Sequence, residues 1–94
     1  MNIGGWDYSV VGACKLPEKV ATGFNEAFSS LLGATYTPAL YCGTQIVHGV
    51  NHMIICKVKF ATQGSSDALM KVMLNEVENE GKSSWSIVSV QSIA

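Results

Sequence analysis

Ninety-four residues with 48% hydrophobic and 14% charged side chains describe one domain, residues 1–94, which has to bury surface and so is not a disordered tail. Six Lys and Arg against seven Asp and Glu leave a formal charge of −1, with no basic face for phosphates and no cationic cluster for a membrane surface. The longest nearly apolar run, around Met53 to Cys56, is far too short to cross a bilayer. Met1-Asn2-Ile3-Gly4-Gly5-Trp6 has neither a basic nor a long apolar region, so no signal peptide is expected.

Gly4-Gly5 is the first turn signal, followed by a short extended stretch through Val10-Val11. Lys15-Leu16-Pro17-Glu18-Lys19 then predicts a helix start, because proline suits the first helical position and Glu18 suits the positive end of the helix dipole. Val20, Phe24, Ala27, Phe28, Leu31 and Leu32 follow as one apolar stripe at helical period. Gly23 within the stripe costs about 1 kcal/mol against alanine, which close packing on a sheet would explain. Gly33 stands where a helix ends.

Beyond Gly33 the composition turns to strand formers. Tyr36, Leu40 and Tyr41 mark a strand containing Pro38, which cannot donate to a ladder and belongs at a bulge or on an unpaired side. From Val50 to Phe60, Ile54, Cys56, Val58 and Phe60 alternate with Lys57 and Lys59, the pattern of a half-buried strand. Residues 62–67 read as a loop. Ala68 to Val77 alternates around Met70, Val72 and Leu74, although Leu69, Met70, Met73 and Val77 also share a helical face. The turn residues Asn79-Glu80-Gly81-Lys82, leading into Trp85-Ser86-Ile87-Val88-Ser89-Val90, favour a strand there. The expected fold is α+β, a single long helix packed on a four- to five-stranded antiparallel sheet.

Cys14, Cys42 and Cys56 are odd in number and form no CxxC. With a hairpin tip at residues 45–49, Cys42 and Cys56 are offset by about three residues, or roughly 10 Å, too far to bridge. All three are read as reduced, buried thiols, which suits a reducing, cytoplasmic setting.

Gln45-Ile46-Val47-His48-Gly49 lies between two strand runs and so at a hairpin tip. This Gln-x-Val-x-Gly resembles the first inhibitory loop of the cystatins, protein inhibitors of papain-like cysteine proteases, and the element order resembles the cystatin fold. Met1-Asn2-Ile3-Gly4-Gly5 is similar to the opening of the stefins, the disulfide-free branch. The resemblance implies a reversible thiol protease inhibitor that is not itself an enzyme and needs no cofactor. Its wedge has three parts: an N-terminal trunk, the first hairpin loop and a second hairpin. Ile3 would probe an apolar subsite, Gly4 and Gly5 would let the trunk bend against the enzyme, and Val47 would make the apolar contact at the loop centre. The chain departs from the family in two places. His48 stands where a small residue is usual, and charging it in the cleft would weaken binding. The second hairpin offers Gly81-Lys82-Ser83-Ser84-Trp85 in place of a Pro-Trp or Leu-Pro-Gly sequence, and Trp85 either reaches the protease or packs on the core.

Other readings stay beside this one. A turn glycine needs no function, and a cystatin-like scaffold could act instead as a domain-swapped dimer exchanging at residues 45–49 or as a small-ligand carrier on the concave sheet face. His48 and His52 are four apart across a tip with no third metal ligand in sequence. Cys42 with either histidine could form a catalytic pair, but an apolar strand position raises a thiol pKa. Glu76, Glu78 and Glu80 read as a solvated strand end.

Overall fold

Pro17 takes an extended conformation (φ −52°, ψ 146°) and its carbonyl accepts the Ala21 N–H at 2.8 Å, so the helix begins one residue later than expected. The computed structural model describes residues 5–7, 12–13, 15–29, 33–61 and 68–93. Within them lie two short strands, β1 (Trp6–Asp7) and β2 (Gly12–Ala13), and one helix, α1 (Glu18–Phe28). Four long strands follow: β3 (Ala34–Val47), β4 (Gly49–Phe60), β5 (Ala68–Asn79) and β6 (Lys82–Ser92). All pairings are antiparallel in the order β1-β3-β4-β5-β6, with β2 also paired to β3. The result is an α+β domain with one helix packed on a sheet of four long strands. Leu31 and Leu32, expected on the helical stripe, lie outside the described residues, as does Cys14. Gly33 is not the residue after the described helix end: it has φ +89° at the entry to β3, where its carbonyl accepts the Ala61 N–H at 2.8 Å.

The alternation in β4 and β5 decides which face meets α1. Ile54, Cys56, Val58, Val72 and Leu74 are fully buried, and Val20 and Phe24 of α1 join them. Burying each large aliphatic side chain contributes about 1.5–3 kcal/mol. Phe24 stacks on Phe28 at 4.5 Å between centroids, and Phe28 meets Tyr36 of β3 at 4.6 Å. Lys57 and Lys59 point away, as their alternate positions require, and Phe60 at the strand end is 37% exposed.

At Gly23 the helix lies directly on the sheet. A Cβ there would fall inside the Trp85 indole of β6, so only glycine lets α1 lie against that ring. The ladder of β3 and β4 slips twice, between Pro38 and Leu40 and between Tyr41 and Gly43, leaving Ala39 and Cys42 as extra residues on β3. A third slip, between Met73 and Leu74 of β5, makes Val88 the extra residue on β6. Such bulges bend and twist a strand, and here they occur in long strands flanking the helix.

Candidate functional site

The sheet has one end at which three segments meet. β3 and β5 run toward it, and β4 and β6 run away from it. The β3–β4 and β5–β6 reversals therefore lie side by side. The pairs Trp6 with Gln45 and Asp7 with Thr44 bring the N-terminal segment to the same end, with Gly5 on the tip side of the pair. Pairing in the first hairpin continues through Gln45 with Asn51 and Ile46 with Val50 to Val47 with Gly49. The expected five-residue loop is thus mostly ladder, and the reversal is confined to Val47, His48 and Gly49. Val47 is 44% exposed and His48 is exposed. Gly49 has φ +86°, a region that L side chains avoid.

Two side-chain systems fix this tip. On the face away from α1, the Asn75 side-chain amide donates to the His48 carbonyl at 3.1 Å and to Asn51 Oδ1 at 3.0 Å. Asn51 in turn donates to Gln45 Oε1 at 3.1 Å. This amide ladder crosses β5, β4 and β3 and ends on the first residue of the Gln-x-Val-x-Gly motif. The backbone closes from below, since a Cβ on Gly49 would collide with the Glu76 carbonyl oxygen.

On the α1 side, Tyr41, His52 and Glu76 form a buried chain. Tyr41 Oη lies 2.6 Å from His52 Nδ1, and His52 Nε2 lies 3.0 Å from Glu76 Oε1. The other Glu76 oxygen accepts from Ser83 Oγ at 2.7 Å and from Lys19 Nζ at 2.6 Å. Burial pushes the Tyr41 phenol up to about 12, with the Glu76 charge adding to it, so it stays protonated and donates to Nδ1. Burial holds His52 below its ordinary value despite Glu76, so it is neutral near pH 7 and donates Nε2–H to the carboxylate. For Glu76 burial acts upward, but hydrogen bonds from Lys19, Ser83 and His52 outweigh it and keep the carboxyl below its usual range. The Lys19 ammonium is raised, first by its bond to Glu76.

This chain of groups has the layout of a proton relay whose histidine is buried. His52 is 5% exposed, and the Trp85 ring lies beside it at 5.2 Å between centroids. Every polar atom is already paired with another group of the chain. The chain of groups pins β3, β4, β5, β6 and α1 together directly beneath the tip. A groove of about 460 Å³ opens onto the pin, lined by its Lys19 and Glu76 and by Ile46, Val47, His48 and Val77 among others.

The structure gathers Gly5, Gln45, Ile46, Val47, His48 and Gly49 at this end, while Ile3 and Gly4 lie outside the described residues. Trp85 is not with them, because its ring is taken up between Gly23 and His52. Cys42 does not pair with a histidine: its Sγ donates to the Leu40 carbonyl at 3.8 Å, and burial raises its pKa. Burial likewise pushes Cys56 up to about 12, and both thiols are unpaired. Among the described residues no three His, Cys, Asp or Glu side chains come together to hold a metal ion.

Neither the pin nor the amide ladder is among the expectations from sequence, yet the strand pattern holds a signal for the pin. His52 has the same strand parity as Ile54, Cys56 and Val58, and Glu76 the same parity as Leu74 and Val72. Both therefore point inward, and an inward histidine and glutamate on neighbouring strands are a pair. Compared with protein-family models, with curated proteins and with solved structures, the chain has no match.

Proposed function

We propose that this chain is a reversible inhibitor of papain-like cysteine proteases that works by occlusion, in the manner of the cystatins. The supporting observation is the convergence of three segments at one sheet end: the chain entering through Gly5, the Val47–Gly49 tip and the Glu80–Gly81 turn. Val47 presents apolar surface at the leading edge, and its backbone sits on a tip braced by Asn75 and Glu76. A preformed wedge loses little conformational entropy on docking, so burying it in a cleft is not spent on ordering a loop. In this proposal Ile3, Gly4 and Gly5 line one side of the protease cleft, Gln45 to Gly49 fill its centre, and the Glu80–Gly81 turn supports the other side. Trp85 then acts indirectly, by holding the second hairpin against α1. No catalytic step, cofactor or metal is assigned. The unpaired, high-pKa thiols of Cys42 and Cys56 suit a reducing, cytoplasmic setting.

The test compares immobilised papain with an open cleft against papain whose catalytic cysteine carries a covalent peptidyl blocker. Binding to the open enzyme and none to the filled one is expected. Equal binding to both would place the contact elsewhere and end this reading.

A further inference from the structure

The far edge of β6 is an open edge of the sheet. It is 11 residues long and terminates the strand order; among the described residues nothing pairs with it. Edge strands ordinarily carry charge or proline against unwanted pairing. Here Lys82 is the first residue of the strand, and from Ser83 to Ile93 there is neither a charged residue nor a proline. Val88, Val90 and Ile93 are 53%, 37% and 50% exposed.

The ladder with β5 tells which backbone groups face outward. The two-residue Glu80–Gly81 turn, with both residues at positive φ, makes Asn79 and Lys82 a hydrogen-bonded pair. Antiparallel alternation then turns the backbone groups of Ser83, Trp85 and Ile87 toward the open edge. Beyond the Val88 bulge the phase shifts by one, so Val90 and Ser92 face outward. The Ile93 N–H bonding the Leu69 carbonyl at 2.9 Å fixes that phase.

This phase shift decides the register in which the strand can pair with a copy of itself. A second copy laid antiparallel with its Val90 opposite Trp85 has its Ser92 opposite Ser83, matching outward-facing groups with outward-facing groups along both halves. The same register places Trp85 and Val90 on the α1 side of the sheet together, and Ser86 with Ser89 on the opposite side. A register shifted by one residue would set outward groups against inward ones and apolar side chains against the wrong face. The two-fold axis falls between Ile87 and Val88, which puts the two Lys82 residues at opposite ends of the pair, roughly 35 Å apart at strand rise and well beyond screening distance.

From this we infer that β6 pairs with β6 of a second copy to form a continuous sheet across a two-fold axis. The dimer leaves both Val47–Gly49 tips free, pointing in opposite directions, and differs in this from a hairpin-exchanged dimer, which consumes the tips. The inference does not rest on the inhibitor reading. An edge-to-edge contact is at the small end of interface areas, so the dimer is weak and dissociates on dilution.

Sedimentation velocity from micromolar to millimolar protein tests it, together with hydrogen exchange of the Trp85 and Val90 amides at both ends of the series. V88K sets lysines beside the axis at an exposed position. S86K, also exposed, is a second block should V88K unfold, which circular dichroism reads. The expected result is a wild-type dimer with slowed exchange at both amides, and at least about tenfold weaker association in the variants. A chain that stays monomeric at millimolar concentration overturns the inference. So does a dimer indifferent to V88K and S86K, as hairpin exchange would give, or a dimer whose Trp85 and Val90 amides exchange as fast as in the monomer.

Discussion

The two hairpin reversals lie side by side and both turn on a glycine at positive φ, yet they are built on different terms. The Glu80–Gly81 turn is self-sufficient: its φ values of 53° and 78° make a compact two-residue reversal, and a Cβ on Gly81 would meet nothing within 4 Å. The Val47–Gly49 tip depends on its neighbours. Gly49 rests on the Glu76 backbone, and the His48 carbonyl is held by Asn75. Local turn chemistry is enough to reverse a chain, but holding an exposed tip in one orientation takes a second strand from outside the hairpin. That orientation is what the proposed wedge requires.

The contrast can be broken most directly at its glycines. Gly49→Ala combines positive-φ strain with a backbone collision, and is expected to lower unfolding free energy by about 3 kcal/mol in urea titration. The pin comes next. Glu76→Gln exchanges a carboxylate that accepts from three partners for an amide, at a cost of about 2 kcal/mol by the same measurement. Asn75→Ala removes two hydrogen bonds of the amide ladder, costs about 1.5 kcal/mol and speeds amide exchange in the first tip without affecting the second. Gly81→Ala meets only the positive-φ penalty and costs about 1 kcal/mol. A Gly81 variant as damaging as the Gly49 one would erase the distinction.

The pin also sets a pH dependence. His52 has a folded pKa below its ordinary 6.5, so its contribution is fully present above that pH. As pH falls below 6.5 the unfolded chain takes up a proton that the folded chain refuses, and stability drops until the folded pKa is passed. Glu76, held below its ordinary 4.5, adds a second loss beginning below that value. Urea unfolding across this range should show both phases, and His52→Gln should remove the upper one while Lys19 and Ser83 keep a lower one.

Much of the fold was legible because it rests on periodicity. The β4 alternation of Ile54, Cys56 and Val58, the α1 stripe of Val20 and Phe24, the bulge beside Pro38 and the turn at Glu80-Gly81 all follow from local residue pattern. Gly23 was read as a sign of close helix–sheet packing, but which ring fills the space, Trp85, depends on a partner 62 positions along the chain. The tip was located but its extent was not: Gln45 and Ile46 are ladder residues because Asn51 and Val50 lie opposite them, a matter of pairing rather than of propensity. Glu76 looked solvated because charged residues at alternate positions resemble a strand end. Its burial becomes visible only when its parity is compared with Leu74 and an inward His52 is set beside it. Polar groups that satisfy one another across strands leave no local signature.

The central claim is that the braced first tip blocks a protease cleft, and its most direct test is a titration of papain with this protein against a fluorogenic peptide, beside the Val47→Asp variant. Val47 is exposed and outside the core, so the variant should fold as the parent does. The account predicts tight, reversible inhibition by the parent that Val47→Asp abolishes. No inhibition at micromolar protein, or equal inhibition by the two proteins, would contradict it.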